Sequence, residues 1–106
     1  MDIERAVKEF EGDRDFLMEV VEGFLEKARL QIETIRKAIS AGDAKKVSAE
    51  AHAMKGGAAN LTAQELSSIA LELENMGKSG VTAGGQEVLE KLENAFSRLE
   101  AFVVDL

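Results

Sequence analysis

Apolar residues return every three or four positions along almost the whole chain, and no stretch alternates as a half-buried strand would. Between residues 13 and 40, Leu17, Val21, Phe24, Ala28, Ile32, Ile35 and Ile39 step by fours and threes into one stripe. That spacing predicts a long amphipathic helix. The "EGD" before it interrupts the pattern and supplies Asp13 as an N-cap. The acidic run Asp13, Asp15 and Glu19 fits a cap and partners of the helix dipole better than a metal site. Upstream, residues 3–10 make a short helix of their own, and Phe10 and Phe16 beside the break are expected to seal the end of the core, with an apolar contact for a partner as the alternative.

"AGD" at 41–43 closes the long helix. The next helix covers residues 44–61, with Val47, Ala51, Met54, Ala58 and Leu61 inward. "TAQE" follows as a capping box in which Thr62 caps and Glu65 reciprocates. The helix it opens runs to about Met76 and buries Leu66, Ile69, Ala70, Leu73 and Met76. A glycine-rich loop, "GKSGVTAGG" at 77–85, leads to a last helix with Val88, Leu92, Ala95, Leu99 and Val103 inward. Four substantial helices with short connections predict an all-α fold, an antiparallel up-and-down four-helix bundle with a short extra N-terminal helix. Residues 1–106 then form a single domain, long enough to bury one core without a partner, so a monomer is expected.

Charge and composition narrow the function classes. The net charge of −7 divides into −3 over residues 1–50 and −4 over 51–106. No basic cluster is present for a phosphate backbone, which excludes nucleic acid as the expected partner. Without cysteine there is neither a disulfide framework nor a thiolate site. No apolar run approaches the ~20 residues of a membrane span. "MDIERAVKEFEG" is too polar for a secretory signal. The expectation is a cytoplasmic protein that does not engage membranes, and the initiating Met with no linker at either end favours a separate chain.

The chemically unusual stretch is "AHAMKGGAANL" at 51–61, which holds the one histidine of the sequence and two adjacent glycines inside a helix. Each glycine costs roughly 1 kcal/mol relative to alanine there. At 100° per residue, the inward residues of this helix lie about 140° from His52, so the imidazole faces solvent. Ser48, Ala49, Ala53, Gly56 and Ala59 surround it with short side chains, and the long ones nearby, Lys45 and Lys55, are cationic. Such a surface lets a bulky, negatively charged partner approach the ring closely. Gly56 leaves room for it, whereas Gly57 points sideways and is expected to pack against a neighbouring helix. A lone surface histidine most often has no role, and small residues also mark tight helix packing. The residues by themselves leave both readings open.

The pattern H-x-x-K-G-G-A-A resembles the signature of histidine-containing phosphotransfer (HPt) domains. "DIERAVKEFEGDRDFLMEVVEGFLEKA" is similar to the opening of such domains, "AGDAKKVSAEAHAMKGGAANL" to the next segment, and "LELENMG" to the following helix. The resemblance thus spans nearly the whole chain. It implies a four-helix bundle in which His52 accepts a phosphoryl group from a receiver aspartyl phosphate and passes it to another receiver. Lys55 would neutralise the phosphohistidine, and Glu74 would orient the imidazole through its other nitrogen. Gly56, with Lys45, Ser48, Ala49 and Ala59, would form the docking surface for the receiver. In an antiparallel pair, His52 ten residues before Thr62 and Glu74 twelve after it fall within about a turn in height. Relatives often carry glycine where this chain has Thr62, a departure the capping box accounts for.

The residues permit that chemistry. Histidine is a nucleophile able to hold a covalent intermediate, and an imidazole with the ordinary pKa of about 6.5 is largely neutral near pH 7. The chain shows no carboxylate cluster at metal spacing, no phosphate-cradling loop and no nucleotide signature. The expectation is therefore no resident cofactor and no kinase or ATPase activity, with Mg2+ supplied by the partner receiver domain. A histidine kinase is a further candidate partner. Two alternatives stand beside the carrier: the phosphoacceptor domain of a chemotaxis-type histidine kinase, and a non-catalytic interaction module in which His52 is incidental. A metal-binding bundle has too few ligands, with one histidine and no cysteine.

Overall fold

A computed structural model of the protein describes residues 5, 8, 13–61 and 63–104, and among the described residues the chain is helical with no strand. Four helices with described bounds follow one another: α1 (Arg14–Ala41), α2 (Ala44–Asn60), α3 (Gln64–Lys78) and α4 (Gly85–Val104). The short helix expected over residues 3–10 lies almost wholly outside the described residues, as does Phe10.

Local chemistry sets the helix ends. Asp13 caps α1, its Oδ1 accepting from the Phe16 N–H at 2.9 Å. At the other end Gly42 adopts φ 71°, a left-handed conformation that glycine reaches without a Cβ penalty. The Gly42 and Asp43 N–H groups then close on the Ile39 and Ala38 carbonyls at 3.1 and 2.8 Å. Asp43 in turn caps α2 by accepting from the Lys46 N–H at 3.1 Å. Two residues therefore end one helix and start the next.

The start of α3 departs from the expected capping box. Its N-cap is Ala63 rather than Thr62, and among the described residues no side chain caps it. Glu65 pairs with Arg98 of α4 instead, so a tertiary ion pair takes the carboxylate that the local motif would have used. Thr62 itself lies outside the described residues.

The helical stripes meet in one core. Leu17, Val21 and Ile35 of α1 are buried there with Val47 and Met54 of α2, Leu66 and Leu73 of α3, and Leu92 of α4. Phe24, Ile69 and Met76 are half-buried against it. The core is wider than the stripes, taking in Leu25, Ala38, Leu89 and Phe96. The reason is that every helix packs on two others, α2 between α1 and α3, and α4 between α3 and α1. Phe16 is 49% exposed and does not seal the core.

The seams differ in closeness. Where α1 meets α2, a Cβ added at Gly57 would sit 2.9 Å from the Phe24 ring. Where α2 meets α3, a Cβ at Gly77 would sit 2.6 Å from both the Ala44 carbonyl oxygen and the Ser48 nitrogen. Among the described residues no helix is long and apolar enough to cross a membrane.

Candidate functional site

His52 sits in the third turn of α2 on the side away from Val47, Ala51, Met54 and Ala58, and its side chain is 68% exposed. Across the seam, α3 brings up Glu74, whose side chain is only 2% exposed. Glu74 follows Leu73 on a helix whose apolar stripe faces the core, so its backbone position beside that stripe places the carboxylate between α2 and α3. His52 Nδ1 lies 2.5 Å from Glu74 Oε2. Lys55, one turn after His52, donates from Nζ to Glu74 Oε1 at 2.6 Å. Both carboxylate oxygens are thus engaged, and no buried polar side-chain atom among the described residues lacks a partner.

The electrostatics follow from this arrangement. The Lys55 hydrogen bond holds the Glu74 carboxyl down to about 2 from its ordinary 4.5, against the upward pull of burial. The His52 hydrogen bond and the Lys55 and Lys78 charges act in the same downward direction. Near neutral pH Glu74 is therefore an ionised carboxylate, which only accepts hydrogen bonds. The proton in the His52–Glu74 contact must then be on Nδ1, and in the neutral ring that leaves Nε2 with a free lone pair. A buried acceptor has fixed the tautomer of an exposed ring.

The remaining residues expected at the site distribute around this pair. Ala49 and Gly56 are exposed one turn before and one turn after His52, and Lys45 and Ala59 are exposed two turns away on either side. A Cβ at Gly56 would meet nothing within 4 Å, so the space above it is open. Ser48 sits at the edge of this face, half-buried where α2 meets Gly77. Gly57 packs on Phe24 of α1, the sideways contact its direction on the helix implies.

Lys78 is the residue that sequence reasoning passed over. It ends α3 with Nζ 3.5 Å from Glu74 Oε2. The signal was available in its i,i+4 spacing from Glu74, which places the two on one helix face. The expected helix end at Met76 had put Lys78 in the following loop. Among the described residues, no three His, Cys, Asp or Glu side chains group as a metal site.

The fold agrees with what the chain is similar to. Its structure superposes on the crystal structure of histidine-containing phosphotransfer protein B (HptB) from Pseudomonas aeruginosa PAO1 with a TM-score of 0.91. That match has 23% sequence identity and covers 99% of this chain and 91% of the other. No curated protein sequence gives a significant match. The Hpt domain family model matches residues 19–102, a span that holds His52, Lys55 and Glu74. The chain therefore belongs to the Hpt domain family and serves as a phosphocarrier in a phosphorelay.

Proposed function

We propose that His52 is the phosphoacceptor, taking the phosphoryl group from a receiver aspartyl phosphate and passing it to another receiver. The hydrogen bond from its Nδ1 to Glu74 at 2.5 Å carries this reading, because it leaves the nucleophilic Nε2 pointing away from the carboxylate on a ring open to solvent. In the transfer, the Nε2 lone pair forms the N–P bond as the acyl-phosphate P–O bond breaks, and the leaving group is the receiver's carboxylate. Positive charge grows on the ring as that bond forms. Glu74, already ionised and in place, stabilises it without reorganising. Lys55, held within a turn of the ring, neutralises the transferred group.

Phosphoryl transfer also uses a divalent cation, which in this reading the receiver contributes. The receiver docks on the exposed face of α2, where Gly56, Ala49 and Ala59 keep the surface low around the imidazole and Lys45 adds positive charge. An antiparallel up-and-down arrangement is supported by the cross-helix pairs. Arg29 meets Glu100 and Arg36 meets Glu93, while His52 meets Glu74 and the Lys55 carbonyl accepts from the Ser67 hydroxyl, each series running up one helix and down the other.

Incubation with a phosphorylated receiver, followed by intact-mass measurement at neutral to alkaline pH, tests the proposal. One added phosphoryl group, acid-labile and absent from His52→Gln, is expected. Full phosphorylation of His52→Gln would place the acceptor elsewhere, and no transfer to the wild type from receivers would leave a kinase phosphoacceptor domain or an interaction module, which ATP with a chemotaxis-type kinase core separates.

A further inference from the structure

Gly77 lies on α3 one turn beyond Glu74 and is buried against the first turn of α2. A Cβ there would come within 2.6 Å of the Ala44 carbonyl oxygen and the Ser48 nitrogen, and 2.8 Å of the Ser48 Cβ. The first two are backbone atoms of a helix and cannot swing aside as the end of a side chain can. Ordinary contact begins at 3.4 Å, so any larger residue must move one helix away from the other. Ser48 is one turn before His52 on α2, just as Gly77 is one turn after Glu74 on α3. The Ser48–Gly77 contact is therefore the rung of the ladder next to the His52–Glu74 hydrogen bond. On the other side of that bond, the Ser67 hydroxyl donates to the Lys55 carbonyl at 3.3 Å. The pair is bracketed by a close backbone approach at one end and a hydrogen bond at the other.

We propose that Gly77 is a positioning residue for phosphotransfer: by letting α3 touch the backbone of α2, it sets the reach of Glu74 to His52 and with it the ring tautomer. This rests on the reading of His52 as phosphoacceptor, but its first consequence concerns the ring alone. The imidazole is mostly solvent-exposed, so a Glu74 carboxylate drawn back from it is replaced by water, and the preference for Nδ1–H goes with it. Glu74 has little freedom to compensate, because Lys55 holds its other oxygen.

The experiment is nitrogen-15 NMR of the His52 ring in Gly77→Ala, with Glu74→Gln and Gly57→Ala as references. Gly57→Ala strains the α1–α2 seam against Phe24 and leaves α3 alone. The expected result is a loss of the Nδ1–H tautomer in Gly77→Ala that matches Glu74→Gln, with the wild-type tautomer kept in Gly57→Ala. Phosphorylation of His52 by a small phosphoryl donor such as phosphoramidate is expected to slow by about five- to tenfold in Gly77→Ala, the scale of one good hydrogen bond. A folded Gly77→Ala protein with the wild-type tautomer would overturn the proposal. If Gly77→Ala does not fold, Ser48→Val widens the same contact from the α2 side, and an unchanged tautomer there overturns it equally. Absence of phosphorylation in the wild type would instead sink the phosphoacceptor reading and leave the tautomer result standing.

Discussion

Along the seam between α1 and α4, Arg29 and Arg36 reach across to Glu100 and Glu93 at 2.6 and 2.9 Å, above the buried side chains of Ile32 and Phe96. Along the seam between α2 and α3, Lys55 and Lys78 converge on one carboxylate, Glu74, that is almost wholly enclosed. The first set of pairs lies on the outside of a seam filled by large apolar groups. Exposed pairs of that kind contribute about 0–1 kcal/mol each, since water and salt screen them. The second seam has given up bulk, with Ala44, Ser48 and Gly77 among its residues, and has enclosed a charge. An enclosed carboxylate is tolerated only while its partners remain. One seam sets exposed ion pairs over apolar contact, and the other encloses an ionised carboxylate against His52.

That contrast can be broken most forcefully at an apolar position. Leu92→Ala on α4, where the side chain is fully buried, is expected to cost about 2–5 kcal/mol in urea denaturation. The His52–Glu74 hydrogen bond should survive it in ring NMR, and its loss would mean that the seams are not separable. Gly57→Ala ranks next, at about 1–3 kcal/mol, because the new Cβ overpacks the Phe24 ring. The same denaturation measurement reads it, and a neutral result would show that the ring turns away freely.

A third test uses pH. Glu74 protonates near 4.5 in the unfolded chain and near 2 in the folded one. With the folded value depressed, its contribution to stability is complete above about 4.5 and lost as pH falls towards 2. Wild-type protein followed by circular dichroism is expected to lose more stability across that window than Glu74→Gln, and parallel curves would contradict the assigned ion pairs. The smallest effect belongs to the outer seam. A double-mutant cycle on Arg29 and Glu100 is expected to give a coupling below about 1 kcal/mol that fades in salt. A larger, salt-resistant coupling would erase the contrast between the seams.

Much of this was legible in the sequence, for identifiable reasons. Stripes such as Leu17–Val21–Ala28–Ile35 are set by helical periodicity, and they located all four helices that the structure describes. Leu25, Leu89 and Phe96 escaped because a stripe drawn towards one neighbour is narrower than the face a helix buries between two. Helix direction alone turned His52 towards solvent, whereas Glu74 came from the resemblance to HPt domains, with the register across one turn in agreement. The expected reach of Glu65 back to its cap misled, since whether that side chain folds back or meets Arg98 depends on a residue 33 positions further on. Gly77 looked like the start of a loop. Its meaning lies in the distance between two backbones, and that distance appears only once the helices have packed.

The carboxylate that orients His52 sits beneath the ring, while the space over Gly56 lies outside it. Any protein arriving from solvent meets an imidazole whose proton has already been placed, and it cannot reach the group that placed it. Under the docking proposed above, changes at Lys45, Ala49 or Ala59 alter the exposed face that meets the receiver and leave the Glu74 contact that orients His52 as it is.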